Sequence, residues 1–213
     1  MSLILQILAI LLNISIIILE TSVFAKMKNK LNILKSYTFL QNFLALVISV
    51  VYCFYAVNQL LGHGNNPVII KGLRYTATCG LVTTMFVLAV FLAPRFKSGK
   101  SRSHTDRFGG LKTKKANLIL HYICPIISIV SFLVCERGTV ITNSEWIGYA
   151  ATPTCTYCAI YILMNTKHSW EEPYGLIVPA KEKRKKLVGI LLLIAVPAAF
   201  ILISYVLFRL NLI

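Results

Sequence analysis

Six long apolar runs, each nearly free of charge, limit what this chain can become. They cover about 2–25, 37–61, 73–93, 117–136, 146–166 and 187–208. A helix crossing the hydrocarbon core of a bilayer needs about 20 consecutive apolar residues, and soluble core helices rarely offer so many. With a mean hydropathy of +0.73 and 14% charged residues, little of the chain is left for a soluble domain. The expected fold is an all-α integral membrane protein, a single polytopic domain over 1–213 built as one bundle of six transmembrane helices.

The first run ends in VFA at 23–25, which has the small-residue character of a cleavage site. A secretory signal, however, carries its basic residues before a short apolar core, and here they follow a core of about 23 residues. The run is therefore expected to stay as the first span.

Orientation follows from the basic residues. Of the 22 Lys and Arg, four lie in 26–36, eight in 94–116 and six in 167–186. The alternate segments hold only Lys71, Arg74, Arg137 and Arg209. The positive-inside rule puts those three loops in the cytoplasm and both termini outside, with the plasma membrane as the expected location. The net charge of +15 raises nucleic acid as a partner. Yet the basic residues flank spans, where topology and anionic headgroups account for them, and no nucleic-acid motif lies between them. Membrane lipids are the expected partners.

All six cysteines fall inside predicted spans, where cysteine acts as a small hydrophobe. Cys155 and Cys158 form a C-x-x-C deep in the fifth run, beside Thr152, Thr154 and Thr156, and helix packing explains it better than redox exchange. His63, His104 and His168 lie in separate loops, so no metal site and no cofactor is expected. Trp146, Trp170, Tyr37, Tyr75 and Tyr174 sit near span ends and read as interface anchors.

Polar side chains inside a span are costly and are functional candidates by default. Glu20, Thr38, Gln41, Asn42, His121, Tyr161 and Asn165 belong to this group, as do Asn13, Arg74 and several threonines. Counting 1.5 Å per residue from the span ends places Glu20, Thr38, Asn42, His121 and Asn165 in one layer toward the cytoplasmic side. Thr38 and Asn42 share a helix face at i, i+4, with Gln41 beside them. A hydroxyl, an imidazole and an amide donor at one depth can supply nucleophile, general base and oxyanion donor for acyl transfer. The same groups can equally serve packing, with Thr38 bonded to its own backbone and His121 to a neighbouring helix. Glu20 is the only acid this reading places inside a span, hence the only one that can orient His121. No charged pair is expected in midmembrane and no inverted repeat is evident, which speaks against a transporter. Pro125, Pro153 and Pro197 are expected to kink their helices.

Four segments then carry a likeness: SYTFLQN at 36–42, LRYTATCGLVTTMF at 73–86, LHYICPI at 120–126 and WEEPYGL at 170–176. With the order of spans, they resemble the bacterial six-helix relatives of the androgen-induced membrane hydrolases. Animal members of that family cleave fatty acid esters of hydroxy fatty acids with an intramembrane threonine and histidine. The resemblance implies Thr38 as nucleophile, His121 as base and a lipid ester as substrate. Glu20, Gln41, Asn42, Tyr161 and Asn165 then become candidate binding residues. The competing expectation is a non-catalytic protein that binds or transports a lipid or amphipathic ligand in the same layer.

Overall fold

The computed structural model describes residues 2–26, 36–64, 67–92, 113–136, 141, 143–166 and 183–212. Among the described residues all regular structure is helical, in six rods long and apolar enough to cross a membrane. α1 is Leu3–Phe24, α2 Tyr37–Leu60 and α3 Val68–Val87, the last continued by a π-turn over Leu88–Leu92. The fourth rod is composite: α4 (Thr113–Leu118), a π-turn (Ile119–Ile123), α5 (Cys124–Val130) and another π-turn (Ser131–Cys135). α6 (Glu145–Thr166) and α7 (Lys183–Leu212) complete the set. The sixth rod starts earlier than its apolar run, taking in basic residues from Lys183.

The Ile119–Ile123 π-turn, the first of two in the fourth rod, has a chemical cause. Pro125 has no N–H, so the carbonyl of His121, its α-helical partner, is released. Just before it the ladder widens, and Cys124 N–H bonds the Ile119 carbonyl five residues back. Pro153 and Pro197, in contrast, lie within helices that run continuously through them. In the second π-turn Glu136 N–H bonds the Ser131 carbonyl at 3.0 Å. The Ser131 hydroxyl then donates to Glu136 Oε1 at 2.7 Å, so the wide turn folds the carboxylate back onto its own helix.

α3 is the centre. α2, α6, α7 and the fourth rod all pack on it, whereas α1 packs on α2 and the fourth rod. It is also the most completely buried rod. Four stripes of buried residues line a quartet made by α1, α2, α3 and the fourth rod. They are Ala9, Asn13, Ile16, Glu20 and Val23; Thr38, Asn42, Ala45, Ser49, Tyr52 and Ala56; Arg74, Ala77, Thr78, Leu81 and Thr84; and His121, Cys124, Ser128, Ser131 and Cys135. Steps of three and four keep each stripe on one helix face. The outer surface is apolar, with Ile4 at 77% exposure and Phe54 at 65%. Hydrocarbon, rather than water, suits such a surface.

α1 and α2 run antiparallel, and their contacts fix the register. Phe24 stacks against Phe39 with ring centroids 6.3 Å apart, and Cys53 Sγ reaches the Ile10 carbonyl at 3.9 Å. In antiparallel helices a constant sum of residue numbers marks a common level, and these pairs put Glu20 level with Asn42 and Asn13 level with Ser49.

Candidate functional site

Polar side chains collect at two heights in the quartet. The first lies near the end where α1 finishes and α2 begins, termed the basic end because the sequence segments 26–36, 94–116 and 167–186 connect rods there. The second lies nearer the opposite end.

At the basic end, Thr38 occupies the first turn of α2 and is buried, as are Asn42, Glu20 and His121. The turns that carry Thr38 and His121 come together, since Phe39 packs in one cluster with Ile119 and Leu120, and the His121 imidazole bonds the Thr84 backbone on α3. Asn42 Nδ2 donates to the Thr38 carbonyl at 2.8 Å, while its Oδ1 has no partner among the described residues. His121 rides on the Pro125 π-turn with Nδ1 likewise unpartnered. Both Glu20 carboxyl oxygens are buried and unpartnered, so no hydrogen bond joins Glu20 to His121 and the acid does not orient the imidazole.

Two other predicted residues face elsewhere. Gln41 Nε2 donates to Thr154 Oγ1 at 3.4 Å, and Tyr37 and Thr154 hydroxyls meet at 2.9 Å. The Gln41 amide lies against Gly80, where any Cβ would displace it. Tyr161 belongs to an aromatic cluster with Tyr157 and Tyr37. The structure therefore puts Glu20 level with Asn42, sets Thr38 about one turn nearer the basic end, turns Gln41 toward Thr154 on α6 and buries Tyr161 of α6 in the aromatic cluster with Tyr37. The side chain of Asn165, and all of Trp170, Tyr174, His104 and His168, lie outside the described residues.

The second height is a cluster that the sequence reading did not assemble. Arg74 Nε and Nη2 donate to Glu136 Oε1 at 3.3 and 3.1 Å, and that oxygen also accepts the Ser131 hydroxyl. Asn13 Nδ2 donates to Ser131 Oγ at 3.1 Å and to the Ala9 carbonyl at 2.9 Å. The guanidinium carbon lies 5.4 Å from the centre of the Tyr52 ring. Four rods meet in this cluster. Glu136 is thus a second buried acid, 5% exposed, and it is ion-paired, which corrects the expectation that Glu20 is alone. Its position as the last residue of the 117–136 run made it easy to pass over as a span end. A lone arginine six residues inside α3 was the available signal, because such a charge demands a partner.

Between the two heights, Thr78 and Ser128 hydroxyls meet at 2.9 Å. Tyr75 is not an interface anchor either. It is fully buried and donates its hydroxyl to the Ser204 carbonyl at 2.6 Å. Trp146 packs over Gly72, whose missing side chain makes room for the indole. Tyr37 is buried in the aromatic cluster. An aromatic at a span end looks the same in sequence whether it faces headgroups or a neighbouring helix. Cys155 is exposed and Cys158 buried, both as free thiols, and no group of three or more His, Cys, Asp or Glu suited to a metal occurs among the described residues.

Compared with known proteins, the chain matches no family model, no curated protein and no solved structure.

Proposed function

We propose that the protein is a multi-pass membrane hydrolase of lipid esters, with Thr38 as nucleophile and His121 as base. The observation that carries this reading is His121 itself: a buried imidazole held by the Thr84 backbone with Nδ1 unpartnered among the described residues, on a π-turn next to Pro125, whose helix packs against Phe39 next to Thr38. Wide turns recur at functional sites because they aim a side chain that a regular helix would place elsewhere. The resemblance to the androgen-induced hydrolases assigns the same two residues.

His121 takes the Thr38 hydroxyl proton as the oxygen attacks the ester carbonyl carbon. The tetrahedral intermediate collapses, the alcohol leaves with that proton, and water then cleaves the acyl-threonine to release the acid. The one Asn42 amide hydrogen that does not bond the Thr38 carbonyl is a side-chain donor on the same helix face for the oxyanion. A layer close to one end of the rods meets an ester without drawing it out of the lipid. The basic loops support a cytoplasmic position for that end in the plasma membrane.

A second reading is favoured by Glu20. A carboxyl without partners at the level of Asn42 suits ligand binding without catalysis, for a lipid or small amphipathic molecule. A fluorophosphonate probe applied to the purified protein separates the two. Labelling that disappears in Thr38→Ala and His121→Ala, with both variants eluting as folded protein, is the expected result. A folded wild type that never labels removes the hydrolase reading and leaves the binding one.

A further inference from the structure

Buried acceptors without donors concentrate on one seam, between α1 and α2. Glu20 Oε1 and Oε2, Asn42 Oδ1, Asn13 Oδ1 and Ser49 Oγ are all buried and unpartnered, and all four residues are 0% exposed. The amide orientations are fixed. Asn42 Nδ2 is held by the Thr38 carbonyl and Asn13 Nδ2 by the Ala9 carbonyl, so a flip would set oxygen against oxygen and each Oδ1 must face away. The seam therefore offers oxygen ligands only, in two levels one heptad apart, or about 10 Å along the helices.

Charge sharpens the case. Among the described residues the buried carboxylates are Glu20 and Glu136, and the one buried guanidinium, Arg74, is bonded to Glu136. The two acids share this one guanidinium: Arg74 acts on Glu20 through space but bonds only Glu136, so one negative charge is unmatched. An isolated carboxylate in such surroundings costs far more than its hydrogen bonds could return, so it holds a positive charge or a proton. Carboxylate, amide and hydroxyl oxygens are hard donors that suit an alkali cation, and a single unmatched acid suits one positive charge rather than two.

We propose that the Glu20–Asn42 level is a binding site for one exchangeable positive charge, a proton or an alkali-metal ion, with Asn13 and Ser49 forming a neutral second level along the same seam. The site does not depend on hydrolase activity, and its test does not read that activity. The groups near Glu20 on the packed elements are Asn42 at its level on α2, Cys124 on the fourth rod and Arg74 on α3, while His121 bonds the Thr84 backbone on α3.

Dicyclohexylcarbodiimide partitions into lipid and attacks protonated buried carboxyls, and it tests the site on the full-length protein in lipid nanodiscs. The adduct is mapped by mass spectrometry in choline buffer across mildly acidic to mildly alkaline pH, with and without sodium or potassium. An adduct on Glu20 that an alkali salt suppresses at fixed pH identifies the ion as ligand. An adduct that salt leaves unchanged and rising pH removes identifies the proton. An adduct insensitive to both, or none on Glu20 at any pH in choline, overturns the proposal. Glu20→Gln, nearly isosteric, shows which signal belongs to this residue. If the ligand is an ion, Asn42→Leu keeps the adduct but needs at least about tenfold more salt to suppress it; an unchanged salt requirement removes Asn42 from the site.

Discussion

The two polar heights of the quartet are made from similar residues and are finished differently. In the far cluster, Asn13, Ser131, Glu136 and Arg74 each bond a residue on another rod or fold back onto their own turn, so one carboxylate oxygen gathers three donors. At the basic end, Asn42 bonds only within its own helix, Glu20 has no bond among the described residues, and His121 bonds the Thr84 backbone but keeps Nδ1 open, whereas in the far cluster only Asn13 Oδ1 and Arg74 Nη1 are open. Interhelical hydrogen bonds in lipid are each worth on the order of 1 kcal/mol, so the first height ties four rods together while the second contributes little cohesion. Polarity in a span thus serves two ends, and open valence distinguishes them better than residue type does.

Substitution should break this contrast most strongly at the far cluster. Glu136→Ala leaves Arg74 buried and uncompensated, and should cost about 3–5 kcal/mol of stability, read as a lower midpoint in detergent-titrated unfolding. Replacing both partners, as Arg74→Met with Glu136→Leu, should recover most of that loss; a double variant as unstable as the single one would show that the pair matters by shape rather than charge. At Gly72 and Gly80 bulk is the variable. Gly72→Val drives a side chain into the Trp146 indole and should cost about 1–3 kcal/mol, with a matching fall in thermal midpoint.

The basic end should respond in the opposite sense, with function lost and stability kept. Pro125→Ala restores the N–H that the His121 carbonyl lacks, so the π-turn should relax toward α-helix. The thermal midpoint should stay level or rise while fluorophosphonate labelling falls; labelling equal to wild type would separate the wide turn from the chemistry. The smallest effect is expected between the two heights. Thr78→Val removes the bond to Ser128 and should cost roughly 0.6 kcal/mol, near the mean for hydrogen bonds between membrane helices.

The rods were legible in the sequence because a run of about 20 apolar residues admits few alternatives. α1 and α2 begin and end within a residue or two of their runs. Depth was partly legible too, since rise per residue is fixed, and the α1–α2 register puts Glu20 level with Asn42. Azimuth was not. Gln41 is adjacent to Asn42 in sequence, yet it points toward Thr154 on α6, because neighbouring helical residues diverge by about 100°. Nor was the ion pair visible, since Arg74 and Glu136 are 62 positions apart and meet through a π-turn that no proline announces. Tyr75 and Tyr37 were misread for the same reason: position along a helix gives height, and only packing gives direction.

The burial of α3 bears on how the chain is made. As synthesis proceeds, Arg74 emerges long before Glu136, the partner that neutralises it. Until the fourth rod arrives, the most polar of the central helices has no stable place in hydrocarbon. The third segment is therefore expected to gain its full stability only once the fourth rod is beside it, which makes its burial a late step of assembly.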